Sequence, residues 1–324
     1  MQPTNLIAEI IASLPFPPTL VDVGASGDPP EIWKEVAHLC NYVAFDPDTR
    51  EFSELRSSGF RRSIIINKAV TPVSADTSLV VYLTKSPYCS STLKPAKDCL
   101  DNYLFADLFS VEEVVTVPCI DLAAAIENAK LEMIDWVKID TQGTDLRIWK
   151  SLPQSLRRDV LAVDVEPGII NAYESEDFFV DTHKALVDEG LWLSNLCIGS
   201  ATRMRPATAD RLDRSLSEAL AKLQRPSPAW AEARYLRSIE WLDQVNADAG
   251  RCRLLMAFAL MDAQYGFALD IVDYYRRKFG DNGSIRRIGQ QLQDWLLANA
   301  DTPDPLFRPD LWRTVRNVLR KFIS

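Results

Sequence analysis

Histidine is almost missing from this chain: two occur in 324 residues, His38 and His183. The six cysteines, Cys40, Cys89, Cys99, Cys119, Cys197 and Cys252, form no C-x-x-C pair. These shortages argue against a zinc site and against a disulfide framework, and leave buried reduced thiols as the plain reading. Positive charge is also short, with 36 Lys and Arg against 45 Asp and Glu and a formal net charge of -9. General nucleic-acid binding rests on basic side chains meeting phosphates, so this balance speaks against nucleic acid as a partner, with a local basic surface left open. No apolar run has the length of a membrane span. The opening "MQPTNLIAEIIASLPFPP" lacks a basic leader and is broken by Glu9. It reads as a short helix stopped by prolines rather than as a secretion signal, and the expectation is a soluble cytoplasmic protein.

Glycine is scarce too, 12 in all, yet two fall in one turn of "TLVDVGASGDPPEIW", Thr19 to Trp33. An apolar, β-branched run ends in Asp22 and gives way to Gly24, Ala25, Ser26 and Gly27 before a helical stretch. Strand, glycine turn, helix is the layout of a nucleotide site, but a dinucleotide fingerprint needs three glycines as G-x-G-x-x-G. Here the third is absent and Asp28, Pro29 and Pro30 follow at once, which makes a poor cradle for a pyrophosphate. An acid at the strand end suits a ligand with a cationic part. S-adenosylmethionine is such a ligand, having an ammonium, a sulfonium and a ribose but no phosphate. A second acid, Asp46, closes the next strand in "NYVAFDPD" and can accept hydrogen bonds from both ribose hydroxyls. Asp46 alone would serve NAD equally well. The turn decides for S-adenosylmethionine.

Short apolar runs alternate with helical patterns from residue 19 to 198, as βαβ units do. The runs "TLVDV", "NYVAF", "RSIIIN", "IDWVKID", "DVLAVDVE" and "LWLSNLCI" predict a doubly wound α/β sheet of Rossmann-like type. "SLVVYLT" and "EVVTVPCI" fall outside that rhythm and read as an antiparallel addition. Beyond residue 200 the pattern turns helical, with Leu254, Phe258 and Met261, then Phe267, Ile271 and Tyr274, then Ile288, Leu292 and Trp295 spaced along helix faces. Two domains are expected, 1–200 binding the cofactor and 201–324 all-helical.

"VDVGASG" and "AFDPD" resemble the first two motifs of class I S-adenosylmethionine-dependent methyltransferases. The stretch "VPCIDLAAAIENAKLEMIDWVKIDTQGTDLRIWKSL" is similar to the FkbM family, whose members carry V-x-x-x-D-L, then K-I-D-x-E-G-x-E, then a helix. Lys138, Ile139, Asp140, Gln142, Gly143 and Asp145 occupy that second motif, and "INKAV" and "VDVEPG" add shorter likenesses. The resemblance covers about residues 18–198 and leaves out the helical region. Gln142 stands where the family usually has Glu, and Asp145 replaces a second Glu. A changed set of substrate contacts is one reading of this departure, and lost activity is the other.

The resemblance implies O-methylation of a sugar or polyketide hydroxyl, with a small molecule or surface glycan as acceptor and no metal. An acceptor hydroxyl must lose its proton as its oxygen attacks, and a carboxylate in reach can take it. Ligands of such sheets sit at the carboxyl ends of the strands. Asp140 and then Glu166 are therefore the candidates for base or acceptor positioning, with Gln142 in the turn between them. The plainer role for Asp140 is to cap the helix at "TQGTDL". Lys138 either touches substrate or forms a structural ion pair. Asn67 and Ala69, after the third strand, and Pro47 are placed near the nucleoside. Ser90 and Ser91, in "SPYCSSTLKP", are candidates for an acceptor-side lid or simply an exposed loop.

The final stretch "LWRTVRNVLRKFIS" pairs an apolar side with Arg313, Arg316, Arg320 and Lys321. It either packs on its own domain or offers a peripheral contact to a membrane or protein. Aromatics such as Trp230, Tyr235, Trp241 and Trp295 either fill the core or line a glycan groove. The rival to an enzyme is a noncatalytic scaffold of the same fold in a glycan-assembly complex.

Overall fold

The computed structural model describes residues 3–25, 29–47, 59–72, 77–131 and 133–300. Strands β1 (Thr19–Val23), β2 (Asn41–Phe45) and β3 (Arg62–Ile66) come first, followed by β4 (Ala69–Thr71), β5 (Ser78–Thr84) and β6 (Val111–Asp121). The series ends with β7 (Trp136–Ile139), β8 (Ala162–Val165), β9 (Leu191–Ala201) and β10 (Ser227–Arg237). Seven of them form one sheet in the order β3-β2-β1-β7-β8-β10-β9, and β4-β6-β5 form a second sheet of three. β1, β2, β3, β7 and β8 are parallel, while β10 runs antiparallel to both of its neighbours. The strand order reverses beside β1, so the crevice beyond the β1 and β7 ends is the place for a ligand.

Both faces of the sheet are covered, which is why every residue of β1 is buried, Asp22 included. On one face Leu20, Tyr42, Ala44 and Trp136 share a core with the helices Thr4–Ala12, Ala249–Met261, Tyr265–Phe279 and Gly283–Ala298. On the other, Val21, Val43, Val137 and Val163 pack against Leu122–Asn128, Asp145–Ser151 and Phe179–Asp188. Helix Ala249–Met261 lies between the sheet and its outer neighbours. Every residue from Leu254 to Met261 is buried, as expected for a helix apolar on all sides.

The doubly wound α/β class and the helical C-terminal region are as the sequence predicts. The boundary at residue 200 is not. β10, at 227–237, is inserted between β8 and β9, and the helices from 249 onward share one core with β1, β2 and β7. "QRPSPAW" is therefore the entry to a strand within a region expected to be all-helical. The strand escapes notice because the buried positions of its first half, Ala229, Ala231 and Ala233, are small and poor β formers. The basic final segment lies outside the described residues. Among the described residues no helix is long and apolar enough to cross a membrane.

One ion cluster ties β10 into place. Arg234 donates to both oxygens of Asp164 on β8, at 2.8 and 2.9 Å, and to Asp262 at 2.8 Å. Its guanidinium also lies over Trp136, 5.1 Å from the ring centroid. Removing the cation leaves two largely buried acids without their counter-charge. Arg234→Ala is expected to cost about 3–5 kcal/mol in urea unfolding, with Arg234→Lys losing less.

Candidate active site

The carboxyl ends of β1, β2, β7 and β8 open into a cavity of about 600 Å³. Gly24 and Ala25 line it from β1, Asp46 and Pro47 from β2, Ala69 from β4, Asp140 and Gln142 from β7, and Glu166 from β8. The opposite wall comes from the second sheet through Val81, Leu83, Val115 and Val117, together with Phe109 and Trp230. The small sheet expected as an addition is thus a wall of the site.

Gly24 is required by the geometry of the turn. Its φ is +83°, and its N–H and that of Ala25 both donate to the Phe45 carbonyl, at 2.9 and 3.0 Å. A Cβ on Gly24 would overlap the carbonyl oxygen of Asp140. The turns after β1 and β7 therefore touch backbone to backbone, an approach only glycine permits.

A chain of polar side chains runs beneath the cavity. Lys138 Nζ stands 3.3 Å from Asp22 and 3.4 Å from Asp140, and Tyr42 donates its hydroxyl to the other Asp22 oxygen at 2.9 Å. Burial alone would depress Lys138, but the Asp22 and Asp140 carboxylates outweigh it and hold the ammonium charged. Gln142 Nε2 donates to Asp140 at 2.8 Å, and the Tyr173 hydroxyl lies 3.1 Å from Gln142 Oε1 and 3.0 Å from the Cys89 carbonyl. Gln142 adopts a positive φ of 55°, uncommon outside glycine. Ser91 holds that turn by donating to the Gln142 carbonyl at 2.7 Å.

The acids differ in character. Glu166 is hydrogen-bonded to Asp140, and burial, then the Asp140 charge, push its carboxyl up to about 9. Burial raises Glu176 to about 7 although the Ala172 and Tyr173 N–H groups donate to it. Asp145, fully buried, is raised to about 7 by burial and then by Asp140. Its oxygens accept from the Thr141 and Glu166 N–H groups at 3.0 and 2.8 Å. The first turn of the helix Asp145–Ser151 is met instead by Asp177, which accepts from the Arg147 N–H at 2.9 Å, and Asp140 stays in the cavity wall.

The structure brings together Gly24, Ala25, Asp46, Pro47, Ala69, Ser90, Asp140, Gln142 and Glu166 around one space. Ser26 and Gly27 lie outside the described residues. Asp22 sits one layer below the cavity lining, and Asn67 is exposed away from it. Lys138 does not reach the lining either, because both acids flanking it hold it beneath. Ser91 lines the cavity but is buried, its hydroxyl spent on the turn rather than offered to a ligand. His183 meets Tyr235 at 3.1 Å and His38 is exposed, so neither lines the cavity. Of the aromatics, Trp230 lines it, whereas Tyr235 and Trp241 are in the core. Sequence reading missed Tyr173 and Glu176, whose signal was a Tyr and several acids in the loop directly after a strand end.

No family model matches the chain, so membership of the FkbM family is not confirmed, and no curated protein matches it. Solved structures similar to it include a Streptococcus pneumoniae protein, Sp1610, provisionally assigned as a tRNA (m1A22) methyltransferase. It is 9% identical with a TM-score of 0.31, over 89% of this chain and 96% of that one. The 23S rRNA methyltransferase ErmE is 13% identical with a TM-score of 0.27, over 89% and 97% of the two chains. NSun6 from Pyrococcus horikoshii, solved with SFG, is 10% identical with a TM-score of 0.23, over 72% and 51%. The sheet order and its reversed β10 are those of a Rossmann-like methyltransferase fold. The expectation that nucleic acid is excluded as a partner is corrected here, because proteins described as RNA methyltransferases are among these structures. Total charge does not decide what a local surface binds.

Proposed function

We propose that this chain is an S-adenosylmethionine-dependent O-methyltransferase acting on a hydroxyl, with a sugar of a glycan or related metabolite as the first acceptor class to test. One observation carries the reading. A single cavity holds an acid at the end of β2, Gly24 at the turn after β1, and the Asp140–Glu166 pair at the ends of β7 and β8.

The residues fit the donor. Asp46 supplies two acceptor oxygens for a ribose diol, and Gly24 lets a nucleoside come close to the backbone. No described lining residue is Lys, Arg or His. That suits a cationic ligand without phosphates. When bound, S-adenosylmethionine supplies an electrophilic methyl group. The protein's own contribution is to hold the acceptor hydroxyl in line with that group and to take its proton. Asp140 is oriented for this by Gln142 on one oxygen and Lys138 on the other, while Tyr173 and Ser91 fix Gln142 in turn. This arrangement supports Gln142 as an orienting residue rather than the scar of a lost activity.

The test is transfer of a labelled methyl group from S-adenosylmethionine to a panel of glycans, free sugars and RNA. Label that stays on sugar through alkaline treatment is the expected result. Label confined to RNA would move the acceptor class to nucleic acid, as the proteins of similar fold would suggest. No transfer to any acceptor despite cofactor binding would favour the scaffold.

A further inference from the structure

Glu166 closes β8 with its carboxyl on Asp140, and both line the cavity. Ionisable groups crowd it. Asp140 and Asp145 face it from the β7 turn and helix, Glu232 from β10, Cys89 from the segment after β5 and Tyr173 from the loop after β8. The cation of the cluster, Lys138, lies below the lining and is already shared between Asp22 and Asp140. Burial and the neighbouring Asp140 charge raise Glu166 to about 9, so near neutral pH the Glu166 carboxyl, one half of the pair, holds its proton. A pair in that state is a poor base for a hydroxyl.

We infer that the Asp140–Glu166 pair gives up this proton when the methyl donor's positive charge enters the cavity, and recovers one from the acceptor hydroxyl during transfer. The inference rests on the cavity being a methyl-donor site. The step balances. The acceptor oxygen forms its bond to the methyl carbon, the carbon–sulfur bond breaks with its electron pair left on sulfur, and the O–H proton passes to the pair. The positive charge that came in on sulfonium ends as a proton on Glu166. The pair is then a base only while the donor is present, and the neutral thioether product leaves it protonated. Opposite charge within a few ångströms favours the ionised carboxylate, which is what ties the proton to the donor.

Titration calorimetry at pH 8, repeated in buffers of different ionisation enthalpy, counts the protons released on binding. The ligands are S-adenosylmethionine and S-adenosylhomocysteine, and the proteins are the parent chain and Glu166→Gln. Gln has the shape of a protonated Glu and keeps the fold. With S-adenosylmethionine the parent is expected to release approaching one proton more than Glu166→Gln does. With S-adenosylhomocysteine the two proteins are expected to match. An equal count for both proteins with S-adenosylmethionine overturns the inference, and so does the same excess with the homocysteine. Failure of both ligands to bind the parent overturns the donor-site reading itself and this inference with it.

Discussion

Asp140→Asn is expected to lower the turnover of methyl transfer by about two to four orders of magnitude, the usual worth of a positioned base. S-adenosylhomocysteine affinity is expected to change by no more than about threefold, because an interaction made in the transition state affects rate rather than binding. The physical reason lies in the donors around this one side chain. Gln142 Nε2 and Lys138 Nζ each point at a different Asp140 oxygen. An Asn amide must set its own N–H₂ against one of them, donor against donor, and it has no carboxylate to accept a proton. Single-turnover kinetics of both proteins with the same acceptor make the comparison. Parent-like turnover in Asp140→Asn removes Asp140 from the chemistry.

The second large effect is expected at Gly24. Gly24→Ala combines a left-handed backbone with a Cβ that overlaps the Asp140 carbonyl oxygen. Backbone strain and a forced shift of the β7 turn together are expected to cost about 2–4 kcal/mol. The same shift moves Asp140 and the cavity floor, so cofactor binding should fall with stability. Gly266→Ala, in the helix Tyr265–Phe279 with open space at its Cβ, is the matched control and is expected to be neutral or stabilising. Urea unfolding of the three proteins separates the cases. Equal stability of Gly24→Ala and the parent would show that the β1 and β7 turns do not need this contact.

Much of the architecture was legible because burial on both faces leaves a plain mark in sequence. β1, β2, β7 and β8 are short, apolar and separated by helical stretches, and a run buried on both sides can be little else. The strand-end acids Asp46, Asp140 and Glu166 could be found by counting to where each run stops. β10 could not, since its alternation rests on Ala229, Ala231 and Ala233, whose apolar signal is weak. Pairs of distant residues were also hidden. Ser91 meets Gln142 across 51 positions, and Lys138 reaches Asp22 across 116. Nothing local in "SPYCSSTLKP" distinguishes a hydroxyl that pins a turn from one that greets a ligand. Global charge misled in a similar way, because it averages over surfaces that a partner meets one at a time.

Titration calorimetry with S-adenosylhomocysteine, run beside NADH and repeated on Asp46→Ala, tests the central claim most directly. Asp46 stands at the end of β2 in the cavity lining, where the proposed site puts the ribose diol. Losing two hydrogen bonds to a charged acceptor costs about 1.5–3 kcal/mol each, partly recovered through water. The account predicts saturable binding of S-adenosylhomocysteine at one site, none of NADH, and at least about a tenfold loss of affinity in Asp46→Ala. Binding of NADH instead, or S-adenosylhomocysteine binding that Asp46→Ala leaves untouched, would contradict it.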